Sequence, residues 1–229
     1  MRSVLAIGAH PDDIELGCGG ALAAHRAAGD SVTMLVLTGG QNGPGDRDAR
    51  RIEQEDAARV LDAVLVWGGL VDCAFASDGS TVNMIEHVID AVGADVVYVH
   101  APDDTHQDHR AAAAATLSAA RRGCTVLHYR SPSTQQFHPT VFVDISEHLD
   151  RKIDALGRHR SQVQGSLMVD LEVTRASARH FGAMARVRYA EGFTPVRFVW
   201  DLSPVRPEAP ATLTAHGGRS LADRLPAAA

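Results

Sequence analysis

Apolar residues along this chain come in short runs closed by turn-forming or charged stretches, and run length separates strands from helices. Residues 4–7 (Val-Leu-Ala-Ile), 31–37, 64–67, 95–99, 125–129, 140–144 and 197–200 are compact runs rich in β-branched or aromatic side chains, and each predicts a strand. The run at 95–99 includes an unbroken Val-Val-Tyr-Val, which suits a strand buried on both faces. Between the strands lie longer segments of alanine, leucine and charged residues. They predict helices over 20–28, 48–61, 80–92, 109–121, 147–160 and 174–184.

This alternation predicts an α/β fold, Rossmann-like and three-layered, with a mainly parallel sheet and helices on both faces. Residues 1–202 form a single expected domain. Residues 203–229, rich in proline, alanine and glycine, are expected to form a poorly ordered tail.

Composition narrows the function classes. The 229 residues suit one buried core. With 22 Lys and Arg against 28 Asp and Glu, the net charge of -6 offers no field for a phosphate backbone, so nucleic acid is not an expected partner. Cys18, Cys73 and Cys124 are odd in number and lack CxxC spacing, which argues against a disulfide framework or cysteine-bound zinc. The first apolar run is too short for a signal sequence, and no run approaches the roughly 20 apolar residues of a membrane helix. A cytoplasmic protein without a membrane partner is expected.

The loop after the first strand, "AHPDDIELGCGG", admits two readings. Its glycines resemble a nucleotide-binding loop of the methyltransferase kind. Such a loop needs glycines directly after the strand and an acid ending the second strand. Here the glycines follow a polar segment, and the second strand ends in Thr38. The other reading rests on His10, Asp12 and Asp13. The loop after the fourth strand, "DDTHQDH", supplies Asp104, His106, Asp108 and His109 at the same edge of the sheet. Taken singly, such residues are ordinary turn formers or helix caps. Two loops at matched strand ends argue for a shared site.

Catalytic zinc takes three imidazole or carboxylate ligands and keeps a position open. His10, Asp13 and His109 form such a set, which also suits Fe(II). Asp12 then stands free beside it as a general base. His106 is positioned to protonate the leaving nitrogen or to stabilise an oxyanion, and Asp108 to fix the tautomer of His106. The other histidines, among them His25, His87, His128, His148, His180 and His216, read as structural or surface residues.

In "AHPDD", "DDTHQDHR", "FHPTVFVDIS", "HRSQ" and "RYAEGF" the chain resembles the PIG-L or LmbE-like family of metal-dependent N-acetylglucosamine deacetylases. The resemblance covers nearly everything except the tail. It implies a Rossmann-like fold, zinc on His10, Asp13 and His109, Asp12 as base and His106 at the oxyanion. It also implies Arg50, Glu53 and Asp72 as substrate contacts, with which Asp104 is placed. The expected partner is a small N-acetylated amino sugar or conjugate, with a non-sugar acylated amine as the alternative, and homo-oligomers are common in such folds. Gln41 and the Val71-Asp72-Cys73 turn depart from the family pattern, which bears on the identity of the substrate.

Overall fold

The computed structural model describes residues 1–198. Among these residues seven strands and seven α-helices follow one another as β1 (Ser3–Gly8), α1 (Asp13–Ala27), β2 (Ser31–Thr38), α2 (Arg47–Leu61), β3 (Val64–Leu70), α3 (Gly79–Val92), β4 (Val96–His100), α4 (Gln107–Ala119), β5 (Thr125–Tyr129), β6 (Val141–Asp144), α5 (Leu149–Gly157), α6 (Arg160–Gly165), α7 (Leu171–Ala185) and β7 (Ala190–Arg197). The strands form one sheet in the order β3-β2-β1-β4-β5-β7-β6. The first five run parallel, while β7 lies antiparallel to both β5 and β6. This is the expected mainly parallel α/β sheet with an antiparallel edge.

Strand side chains alternate between the faces, so each buried strand feeds two cores. Val4 and Ala6 of β1, with Val32, Met34 and Val36 of β2, meet α1, Ala58 and Leu61 of α2 and Ala155 of α5. Leu5 and Ile7, with Leu35, Leu37, Val97 and Val99, meet Ile85 and Val88 of α3 and the alanine face of α4. Alanine at 112, 115 and 119 lets α4 approach the sheet closely.

Several boundaries differ from the sequence expectation. The first helix starts at Asp13, so Gly17, Gly19 and Gly20 lie inside it. Helical glycine costs roughly 1 kcal/mol against alanine, but packing requires it at Gly17 and Gly20. A Cβ on Gly17 would come within 2.1 Å of the Tyr129 ring, and one on Gly20 within 2.8 Å of Ile145. The expected helix over 147–160 is shortened to α5, which ends at Gly157, and a separate helix α6 starts at Arg160 after Arg158 and His159. Among the described residues the last strand is β7, which ends at Arg197, where the expected strand over 197–200 begins. Pro195 disguises it, but lies past the end of β6 and pairs only with β5, so its missing N–H is tolerated. Trp200, the end of the expected domain at 202 and the tail 203–229 lie outside the described residues.

Strand order reverses between β2 and β4, on either side of β1. A parallel sheet opens a crevice there, beyond the carboxyl ends of the strands. The loops after β1 and β4 both enter it. Among the described residues, no helix is long and apolar enough to cross a membrane.

Candidate metal centre

The crevice is a cavity of about 360 Å³ lined in part by His10, Asp12, Asp13, Asp72, His106 and His109. The β1 loop folds back on itself: the His10 N–H donates to Asp13 Oδ2 at 2.7 Å, and His10 Nδ1 lies 3.3 Å from the same oxygen. The other Asp13 oxygen is 3.4 Å from His109 Nε2. Asp13 therefore touches both rings, one through each oxygen. Among the described residues, three groups have donor atoms within 4.8 Å of one another: His10 with His106 and His109, Asp13 with His100 and His109, and His10 with Asp72 and Asp108. The first two groups share His109, and His10 and Asp13 belong to one each, so the expected trio His10, Asp13 and His109 is drawn from both and is not itself one of the three.

Carboxylates surround these rings. His10 Nε2 stands 3.1 Å from Asp72 Oδ1 and 3.2 Å from Asp108 Oδ2. His109 Nδ1 stands 3.2 Å from Asp104 Oδ2. Burial works against charge on His10, yet hydrogen bonds to Asp108, Asp13 and Asp72 push its pKa up to about 12. Burial likewise opposes charge on His109, while the Asp13 charge and the Asp104 hydrogen bond push it up to about 9. The cluster attracts positive charge, and two imidazoles with a carboxylate are the donor chemistry of zinc or ferrous iron. The residues fit a divalent metal.

Asp12 differs from its neighbours. Its backbone is left-handed at φ 97, and its carboxylate makes no cap hydrogen bond to α1. Among the described residues no protein donor reaches that carboxylate, although Asp13, Asp72, Asp104 and Asp108 are all engaged. Burial, then the charge of Asp13, push its pKa up to about 7.

His106 caps α4 with its ring: Nδ1 accepts the Asp108 N–H at 3.2 Å. An accepting Nδ1 carries no proton, so the neutral ring holds its proton on Nε2. Burial, followed by the charges of His109 and His10, lowers the His106 pKa and keeps the ring neutral. The Asp108 carboxylate, expected to fix this tautomer, instead faces His10 and accepts the Cys73 N–H at 2.8 Å. The backbone of Asp108 does the work assigned to its side chain.

The four expected substrate contacts divide. Asp72 lines the cavity, with Oδ2 accepting the Asn42 N–H at 2.8 Å. Arg50 also borders it, but its guanidinium donates to the carbonyls of Gly40 and Pro11. Glu53 turns away: its carboxylate accepts from the Ser161 N–H at 2.8 Å and the Ser161 hydroxyl at 2.6 Å. Asp104 is buried, and its oxygens accept from Ser131, Ser133, Thr134 and the His106 N–H. Glu53 and Asp104 are thus occupied by the protein itself.

Sequence reasoning missed His100. It is the last residue of β4, fully buried and stacked on His109 with ring centroids 3.9 Å apart. Its Nε2 accepts the Ala9 N–H at 3.1 Å, and burial, then the charge of His109, push its pKa down to about 4. A neutral, locked ring braces His109 from behind. Its place at the carboxyl end of a parallel strand was the available signal.

The sequence profile of the family described as PIG-L, GlcNAc-PI de-N-acetylase, matches residues 5–120. That span runs from β1 through both loops to the end of α4. The chain belongs to the PIG-L family. A relative in Escherichia coli (strain K12), the uncharacterized deacetylase YaiS, is 34% identical over 169 residues, covering 70% of this chain and 91% of that protein. The diacetylchitobiose deacetylase of Thermococcus kodakarensis is 28% identical over 226 residues, covering 87% of this chain and 84% of its own. GalB, the 4-carboxy-2-hydroxymuconate hydratase from Pseudomonas putida KT2440, superposes with a TM-score of 0.79 at 24% identity, over 89% of this chain and all of that one. This last likeness is one of fold alone. The PIG-L fold therefore carries more than one chemistry, and the site must decide between them.

Proposed function

We propose that this PIG-L protein is a metal-dependent N-deacetylase acting on a small N-acetylated amino sugar or a conjugate of one. The observation that carries this reading is the isolation of Asp12, whose carboxylate alone in the acidic cluster lacks a protein donor. A carboxylate left free beside a metal-ligand set is what a general base requires. The two relatives named as deacetylases support the reaction class, and the diacetylchitobiose enzyme supports an amino sugar.

His10, Asp13 and His109 would hold zinc or ferrous iron. Such a metal supplies a Lewis acid that acidifies water and polarises an acyl carbonyl. Asp12 takes the proton from the attacking water. His106 offers Nε2–H to the oxygen that becomes negative in the tetrahedral intermediate. Transfer of the proton from Asp12 to the departing nitrogen completes the hydrolysis to amine and acetate. Asp72 and Asn42 line the wall of the cavity against which the sugar would rest.

Amine release tests the reading. Protein loaded with zinc or ferrous iron is incubated with N-acetylglucosamine, N,N'-diacetylchitobiose and N-acetylated non-sugar amines, and primary amine is measured with equimolar acetate. Release from the sugars is expected. Release only from the non-sugar amines would overturn the substrate class. No amine from any of them would overturn deacetylation and favour other water chemistry, such as hydration.

A further inference from the structure

Helix α2 grips one peptide group of the β1 loop at both ends. That group joins Pro11 to Asp12. Its carbonyl accepts from Arg50 Nη2 at 3.1 Å, and its N–H donates to Gln54 Oε1 at 3.3 Å. Arg50 and Gln54 are four residues apart and share a face of α2. Because the peptide group is planar and rigid, two contacts at opposite ends fix its orientation. That orientation sets the φ of Asp12, which stands at 97 with ψ -27, a conformation that side chains other than glycine avoid.

Neither jaw of this clamp is loose. Gln54 is fully buried, and its Nε2 donates to Glu15 Oε1 at 2.7 Å, which turns Oε1 toward the Asp12 N–H. Glu15 is fully buried and lies 3.4 Å from His159 Nε2. Arg50 also donates to the Gly40 carbonyl, and a Cβ on Gly40 or Gly43 would collide with its guanidinium. The glycine-rich loop after β2 thus encloses Arg50.

We infer that Gln54, braced by Glu15 and paired with Arg50, is a positioning residue that holds Asp12 in its left-handed conformation and so aims the carboxylate into the cavity. The inference rests on the reading of Asp12 as the base. Freed from the clamp, the Pro11–Asp12 peptide turns to an unstrained φ and carries the side chain away from the reacting groups. Asp13 keeps its own ties to His10 and His109, so metal binding survives.

The test combines kinetics with a stability cycle on the full chain. Gln54→Met keeps length and volume but removes both hydrogen bonds. It is expected to lower kcat by about 10- to 100-fold, with KM within about twofold of wild type and metal content unchanged. Gln54→Glu keeps an acceptor opposite the Asp12 N–H while sharing a proton with Glu15, and is expected to recover most of the lost kcat.

Asp12→Gly, which relieves left-handed strain, is expected to raise the urea midpoint in wild type and to raise it much less beside Gln54→Met. Wild-type kcat in Gln54→Met, or strictly additive midpoint shifts, would overturn the inference. If Gln54→Met does not fold, Gln54→Glu carries the cycle: it keeps the clamp's acceptor, so the full Asp12→Gly gain is expected, and its loss would overturn the inference. Should wild-type protein release no amine, the reading of Asp12 as base falls. The midpoint cycle then decides the clamp alone.

Discussion

The backbone N–H of Asp108 donates to His106 Nδ1 at 3.2 Å, while the Asp108 side chain faces His10. One residue thereby sets the tautomer of one imidazole and the environment of another. With Nδ1 occupied, only Nε2 of His106 is left to donate into the cavity. Replacing His106 with alanine is expected to lower kcat by about 10²- to 10³-fold, the usual effect of losing an oxyanion donor, with metal content unchanged. Steady-state kinetics with metal analysis checks this. An active His106→Ala protein would remove the ring from the reaction.

Asp104 would act on the proposed metal through His109. Its oxygens take three hydroxyls and a backbone N–H, and it stands 3.2 Å from His109 Nδ1, which leaves nothing for a substrate. Asp104→Asn is expected to weaken metal affinity by about 10- to 100-fold, the effect typical of removing a carboxylate behind a ligating histidine. Competition with a chromogenic chelator measures it. A raised KM for substrate with unchanged metal affinity would return Asp104 to the substrate wall.

Much of this was legible in the sequence, and the failures share a cause. The five parallel strands announced themselves because buried parallel strands are unbroken apolar runs. The two loops announced themselves because histidine and aspartate gathered at matched strand ends. What stayed hidden was the partner of each polar side chain. Asp108, Glu53 and Asp104 lie close in sequence to plausible roles, yet Cys73, Ser161 and the serines at 131 and 133 claim them across the fold. The glycines of α1 misled for a related reason: helix propensity is local, whereas the rings and branches they make room for come from Tyr129 and Ile145.

Glu191, within the "RYAEGF" stretch, is stitched into the middle of α1. Its carboxylate accepts the N–H groups of Gly20 and Ala21 and pairs with Lys152, whose Nζ also reaches the Leu16 carbonyl. Both side chains are buried. Removing one member leaves an uncompensated charge, so Glu191→Ala is expected to destabilise the fold by about 3–5 kcal/mol. Urea denaturation followed by circular dichroism measures it. A loss below about 1 kcal/mol would show that water replaces the carboxylate without penalty.

Asp30 gives a pH signature remote from the candidate metal centre. Its burial alone would raise its pKa, but hydrogen bonds from His25 and the Arg2 N–H outweigh that and hold the carboxyl below the ordinary carboxylate range. A depressed folded-state pKa adds stability above the unfolded value of about 3.9, and that stability is lost as pH falls through the folded value. Asp30→Asn should therefore lower the denaturation midpoint at pH 7, with a gap that closes as the pH drops below about 4. A gap independent of pH would assign the effect to packing.

The separation of roles between Asp12 and the trio His10, Asp13 and His109 is the central claim. Metal per chain and amine release, measured side by side in wild type, Asp12→Asn and His109→Ala, test it most directly. The account predicts about one metal per chain in wild type, full metal with kcat lowered by about 10²- to 10⁴-fold in Asp12→Asn, and loss of both metal and turnover in His109→Ala. An Asp12→Asn protein that turns over at the wild-type rate, or a His109→Ala protein that keeps its metal, would contradict it.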